Sequence, residues 1–311
     1  MVILRSKSLS MQFTIPIIKA FSRLPWSVMY AISTGMYWIV FRLIGYRKEV
    51  VQANLKNSFP EKSNSEINSI ANAFFRFLAD MFMESVKAIT MPERDWQQGF
   101  KTSNVDLPNS YFDKGQSIVT VLGHYGNWEY LVTAYSRDTK HTVLGVYKPL
   151  SDPHFEKLLA SYRTRYGMVL VPLYKAYDII KEYTDRDEKI AIMLIGDQTP
   201  AANRGYWMDF LNQDTPVFRG AEKLAIEYNF PVLFATLDQT KRGQYTMSFE
   251  TVFEKPRETQ EGEITEFHTK KLEKQIREKP HLWLWSHKRW KHQRPAATPD
   301  RFISKNFPGK K

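Results

Sequence analysis

The stretch "VTVLGHYGNWEYL" (119–131) places a histidine, His124, five positions before a glutamate, Glu129. An imidazole held by a carboxylate is the simplest apparatus for moving a proton. The acid fixes the ring's tautomer and steadies its cation, and the second ring nitrogen is left to act as a base. Regular structure does not bring this pair together. Five residues advance a helix by about 500°, leaving the side chains ~140° apart, and on a strand they fall on opposite faces. A turn is needed, and Gly123 and Gly126 are the residue type that permits one.

The flanking elements say where such a turn would lie. "SIVTVL" (117–122) reads as a buried strand and Asn127 as the N-cap of a following helix. His124 then sits at a strand's carboxyl end and Glu129 in a helix's first turn, where Glu129 is expected to accept a hydrogen bond from the imidazole. The plainer alternative is a turn histidine beside a glutamate favoured by the helix dipole. Apolar runs at 117–122, 142–147, 168–172, 189–195, 231–238 and 244–253 alternate with helical patterns at 127–136, 153–166, 174–184, 217–229 and 262–278. This alternation predicts an α/β fold with a mixed, mostly parallel sheet flanked by helices. Sites in such sheets gather at the carboxyl ends of strands, and Asp197 and Gln198 follow the apolar run "IAIMLI". Upstream, "YRKEVVQANLKNSFPE" (46–61) predicts a basic helix stopped near Pro60, and residues 64–89 a second helix capped by Asn64 or Ser65.

Composition narrows the chemistry. Of 311 residues, 43% are hydrophobic and 14% aromatic, which excludes a disordered chain. The absence of cysteine excludes disulfides, thiolate catalysis and cysteine-ligated metal. The net charge of +11 resides at the two ends. Residues 1–48 carry seven basic groups and no acid, and residues 279–311 carry nine with one acid, Asp300. The 230 residues between hold 28 basic and 32 acidic groups, as an ordinary soluble domain would. Basic ends suit nucleic acid or an anionic membrane surface.

Neighbouring residues favour the membrane. "LPWSVMYAISTGMYWIVF" (24–41) has no charge in 18 positions, 13 of them apolar or aromatic. As a helix it would be ~27 Å long, close to the ~30 Å of a hydrocarbon core. Basic residues flank it, and Trp26, Tyr37 and Trp38 are aromatics suited to an interface. We expect residues 1–48 to form a membrane-associated helical segment with basic flanks, spanning the membrane or lying on it, and residues 49–311 to form the α/β domain. A buried core helix is the alternative. At the other end, "HLWLWSHKRWK" (281–291) interleaves Trp283, Trp285 and Trp290 with Lys288, Arg289 and Lys291. Such a segment can stack on bases or lie in a bilayer interface with its cations on phosphates, and the uncharged run favours lipid. His281, His287 and His292 lack metal-ligand spacing and read as structural or interfacial, so no metal is expected.

"GHYGNWE" (123–129) resembles the first block of the lipid A late acyltransferases, the lauroyl and myristoyl transferases of the lysophospholipid acyltransferase superfamily. "YKPLSDPHFEKLLASYRTRYG" (147–167), "IGDQTPAANRGYWMDFLNQDTPVFRGAEKLA" (195–225) and "KPHLWLWSHKRWK" (279–291) resemble its later blocks, in order, and residues 46–61 the segment after its membrane anchor. "DFLNQ" (209–213) and Arg219 depart from the pattern. The resemblance implies transfer of a fatty acyl chain from a thioester, usually on acyl carrier protein, to a lipid A precursor at the cytoplasmic face of an inner membrane. It implies no cofactor and no nucleic acid. His124 and Glu129 would be catalytic. Asn127, Arg163, Arg165, Asp197, Gln198, Lys288 and Arg289 are the candidate substrate-binding residues, with at most one of Arg163 and Arg165 facing the site because two positions turn a helix by about 200°. With no cysteine and no Gly-x-Ser-x-Gly elbow, direct attack without an acyl-enzyme is the simpler route. An acyltransferase of a lysophospholipid or aminolipid, or a non-catalytic basic protein of membranes or nucleic acid, are the alternative readings.

Overall fold

The computed structural model describes residues 15–305, apart from the side chain of Val132. Residues 1–14 and 306–311 of the basic ends lie outside the described residues. The uncharged run forms helix α1 (Trp26–Met36), which widens into a π-helical stretch over Tyr37–Leu43. Helices α2 (Lys48–Ser58) and α3 (Asn64–Ala88) follow. The cap of α3 is Ser63, one residue before the expected positions. Its hydroxyl accepts from the Glu66 amide while Glu66 reaches back to the Ser63 amide, a reciprocal capping box.

The run at 24–41 was expected to be one membrane-length helix. Among the described residues no single helix is long and apolar enough to cross a membrane; Trp26–Leu43 and Lys48–Ser58 reach that length and composition only together, across an 83° bend. One face of the run packs on the protein. Met29, Ser33, Tyr37 and Phe41 are buried, and Phe41 stacks on Phe75 of α3. The other face leaves Trp38, Ile39 and Leu43 at 55%, 57% and 83% exposure.

Helix α4 (Glu93–Gly99), strand β1 (Phe100–Thr102) and α5 (Asp106–Asp113) lead into the alternating region. It runs β2 (Ile118–Leu122), α6 (Trp128–Asp138), β3 (Thr142–Tyr147), α7 (Pro153–Arg163), β4 (Val169–Pro172), α8 (Ala176–Asp185) and β5 (Ile190–Ile195). A hairpin, β6 (Tyr206–Phe210) and β7 (Gln213–Val217), forms a separate two-stranded sheet. Then come α9 (Gly220–Tyr228), β8 (Val232–Lys241), β9 (Gln244–Phe253) and α10 (Glu263–Glu278).

The main sheet has seven strands in the order β1-β9-β8-β2-β5-β3-β4. From β8 to β4 neighbouring strands are parallel, β9 runs antiparallel to β8, and β1 is parallel to β9. The mixed, mostly parallel sheet is therefore as expected. β2 is buried along its whole length, as a strand covered on both faces must be. Val119 and Val121 pack toward Ala221, Ala225 and Ile264, while Ile118 and Leu122 join the core that holds Tyr130, Leu131 and Ala134 of α6. The chain leaves β2 toward β3 on one side, and after β5 it crosses to β8 on the other. Such a reversal opens a crevice at the carboxyl ends of β2 and β5.

Candidate active site

The parallel pairing of β2 with β5 sets Leu122 beside Ile195, and the Gly196 amide donates to the Leu122 carbonyl at 3.1 Å. Two residues later on each chain stand His124 and Asp197. Register alone therefore brings this imidazole to this carboxylate, although they are far apart in sequence. His124 Nδ1 lies 2.6 Å from Asp197 Oδ1, and the His124 backbone amide donates to Oδ2 at 2.8 Å. The two turn glycines are steric requirements. A Cβ on Gly123 would come within 2.6 Å of Leu272 and 3.2 Å of Asp197 Oδ2, while Gly126 has φ +60° and would meet Leu237 at 2.7 Å.

The C-terminal tryptophan segment closes on this turn. Trp283 bridges Tyr125, the Gly126 amide donates to Leu282, the Leu284 amide donates to His124, and Trp283 Nε1 donates to Asp197 Oδ2 at 2.7 Å. Burial pushes Asp197 upward, but the charge of His124 and the hydrogen bonds from His124 and Trp283 outweigh it and bring its pKa down to about 2. An ionised Asp197 can only accept, so Nδ1 carries the proton and Nε2 is the free base position. Gln198 Nε2 lies 3.2 Å from that nitrogen, and the His124 side chain remains 14% exposed.

Glu129 does not hold the imidazole, contrary to expectation. It sits in the first turn of α6 and accepts from Arg163 Nε at 3.0 Å, Arg163 Nη2 at 2.6 Å and the Tyr162 hydroxyl at 2.6 Å. Burial raises its pKa, but the charge and hydrogen bonds of Arg163, the Tyr162 hydroxyl and the charge of His124 prevail and hold it below the usual carboxylate range. Glu129 and His124 thus interact through their charges rather than a bond. The fork geometry that bidentate arginine provides explains why the nearer cation takes the acid. Arg163 ends α7 and turns to Glu129, whereas Arg165 turns away to the Met91 carbonyl at 2.5 Å.

Other expected contacts fall elsewhere. Asn127 is fully buried as the N-cap of α6; it accepts from the Tyr130 amide at 3.2 Å and donates to Glu84 at 2.7 Å, so it positions the helix and offers nothing to a ligand. Lys288 is exposed. Arg289 is buried completely: Nη2 donates to the Pro216 carbonyl at 2.7 Å, Nε has no partner, and burial brings its pKa down to about 10 against the pull of Asp197. It shares with Asp197 and His268 the wall of a narrow cavity of about 10 Å³. Trp283 and Trp285 are also core residues, 2% and 0% exposed, so these two do not line an interface. Asn54 of α2 holds their segment by donating to the carbonyls of Trp285 and His287. The departures lie in structural places as well. "DFLNQ" makes the β6–β7 tip, where Asn212 and Gln213 bond to Ser58, and Arg219 pairs with Glu222 and Glu261.

A part-buried histidine on a buried aspartate at the carboxyl ends of adjacent parallel strands, with its second ring nitrogen toward Gln198, is an arrangement that can take up a proton. The chain matches the model of the bacterial lipid A biosynthesis acyltransferases over residues 6–292 and belongs to that family. It is an acyltransferase of lipid A biosynthesis by family. No curated protein matches it.

Proposed function

We propose that the protein transfers a fatty acyl chain from a thioester, with acyl carrier protein as donor, to a hydroxyl of a lipid A precursor. The observation that supports this most directly is the His124–Asp197 pair with Nε2 turned to the side-chain amide of Gln198, in a chain of this family. The acceptor hydroxyl takes the place of the Gln198 amide at Nε2. His124 removes its proton as the oxygen attacks the thioester carbonyl, and the imidazolium is steadied by Asp197 at contact and by Glu129 through space. As the tetrahedral intermediate collapses, the C–S bond breaks and the leaving thiolate takes the proton from Nε2. Arg163, held by Glu129, supplies the positive charge that the oxyanion requires. Lys288 is left for the acceptor's phosphate. The exposed face of Trp38, Ile39 and Leu43 supports attachment along the membrane surface, which would be the cytoplasmic face of the inner membrane.

The test is direct. Purified protein is incubated with acylated carrier protein and a lipid A precursor lacking a secondary acyl chain, and products are weighed by mass spectrometry. The expected product is one acyl chain heavier, and His124→Ala abolishes it. Acylation of a lysophospholipid or aminolipid in place of the precursor would overturn the assignment of acceptor.

A further inference from the structure

Two loops at the carboxyl ends of β3 and β4 present large apolar side chains to solvent. Leu150 and Phe155, after β3, are 46% and 39% exposed; Leu173 and Tyr174, after β4, are 54% and 74% exposed. The first loop is tied down. Glu156 accepts from the Leu150 amide at 3.0 Å and from the Tyr147 hydroxyl, and Asp152 caps α7 through the amides of His154 and Phe155. Asp152 of the loop and Glu156 in the first turn of α7 are thereby both engaged. The cations are not: Lys148 of the loop, Lys157 of α7 and Lys175 of the second loop are exposed and make no ion pair among the described residues. The patch lies at the same end of the sheet as the site, since β3 runs parallel to both β4 and β5, and α7 carries Phe155 in its first turn and Arg163 at its end.

Apolar tips fixed outward and surrounded by unpaired ammonium groups fit an anionic bilayer, with the tips in the acyl boundary and the lysines on phosphates. We infer that this rim docks on an anionic lipid surface, so that the mouth of the site opens at the plane of the bilayer. The inference rests on the proposed function in one respect: a hydroxyl borne by a membrane lipid reaches His124 without leaving the membrane. It adds a second contact, distinct from the N-terminal segment, and fixes which end of the sheet faces lipid.

The lack of cysteine makes the test clean, because Tyr174→Cys on the full chain carries a single environment-sensitive fluorophore. With vesicles of phosphatidylglycerol and phosphatidylethanolamine containing spin-labelled lipid, the label at 174 should shift to the blue. It should also be quenched severalfold more than one at Lys114→Cys, in the turn before β2. Replacing Lys148, Lys157 and Lys175 together by Glu should weaken vesicle affinity by about 100-fold, with melting temperature and turnover of detergent-dispersed substrate retained. Equal responses of the two labels would overturn the inference. So would a response at 174 to acidic carrier protein alone, which would make the rim a protein-docking surface. Selective quenching at 174 in a protein that acylates no lipid A precursor would instead overturn the proposed acceptor and leave the docking surface standing.

Discussion

Asp197 and Glu84 are both carboxylates withdrawn from water, 7% and 0% exposed, and the side chain of each accepts three hydrogen bonds. Their pKa values are nevertheless shifted in opposite directions. Burial raises both. At Asp197 the charge of His124 and charge-assisted bonds overcome it, and the pKa falls to about 2. At Glu84 the donors are an amide, Asn127, and two phenols, Tyr245 and Tyr30; the nearby Asp80 has the same sign, so burial prevails and the pKa rises. Neither burial nor the number of bonds decides the charge of a buried acid; the charge of its neighbours does. The difference also separates two tasks. Asp197 is a fixed anion behind an accessible imidazole, whereas Glu84 is a tie between α1, α3, β9 and the cap of the helix that carries Glu129.

Changing each acid to its amide sharpens the contrast most. Asp197→Asn removes the anion that fixes the His124 tautomer, and acyl transfer should fall by about 10²–10⁴-fold, as for His124→Ala. Glu84→Gln keeps size and hydrogen-bonding capacity in a place that favours the neutral form, so turnover should stay within a factor of about three. Initial rates on purified variants, with circular dichroism to verify folding, make the comparison. Similar losses in the two variants would erase the distinction.

Truncation reverses the ranking, now in stability. Glu84→Leu leaves the Asn127 amide and the hydroxyls of Tyr30 and Tyr245 with a lost acceptor. Each buried orphan costs about 1–3 kcal/mol, so a loss of roughly 3 kcal/mol or more is expected. Denaturant unfolding should show a midpoint well below that of Glu84→Gln. Equal midpoints would mean that the cluster is hydrated and ties nothing together.

The two sites were not equally legible in the sequence. The Gly-His turn, the strand end bearing Asp197 and six of the seven strands of the main sheet follow from apolar runs and glycine placement, which are local signals. The partner of His124 is not local. A strand end can offer two carboxylates, and only the β2–β5 register, with Arg163 drawing Glu129 aside, decides between them. Trp283 was read as interfacial because its neighbours are basic, yet its indole is a buried donor to Asp197. The β6–β7 hairpin was missed because Asp209, Asp214 and Pro216 break the apolar alternation. Its one signal was Asn212, which with Leu211 takes positive φ at the tip. Glu84 did leave a trace. It continues the helical stripe of Phe77 and Met81, where a charged residue has no business unless something inside meets it.

A smaller effect tests one bond of Asp197 alone. Trp283→Phe keeps an aromatic ring in the core but removes the indole N–H at 2.7 Å from Oδ2. A hydrogen bond to a charged group contributes about 1.5–3 kcal/mol, shared between folding and the positioning of Asp197. Turnover should fall by roughly tenfold with little change in KM, and the variant should still fold. A rise in KM with turnover intact would place the indole against substrate instead.

The smallest effect is a trend in pH, with opposite signs for the two acids. Glu84 has a folded-state pKa above its unfolded value, so the native chain binds its proton more tightly and loses stability as pH rises through that folded value. Glutamine has no proton to lose. Glu84→Gln should therefore gain on the native protein as pH increases, by at most about 1.4 kcal/mol per pH unit where the group titrates. Asp197 is depressed to about 2, so its stabilisation is complete above the unfolded value of about 3.9 and is lost as pH falls toward 2. The deficit of Asp197→Asn should be greatest near neutrality and close in acid. Melting temperatures of the three proteins from pH 3 to 9 would show the two differences diverging in opposite directions. Parallel curves would mean that both carboxylates carry the same charge across the range, and the contrast between the two sites would fail.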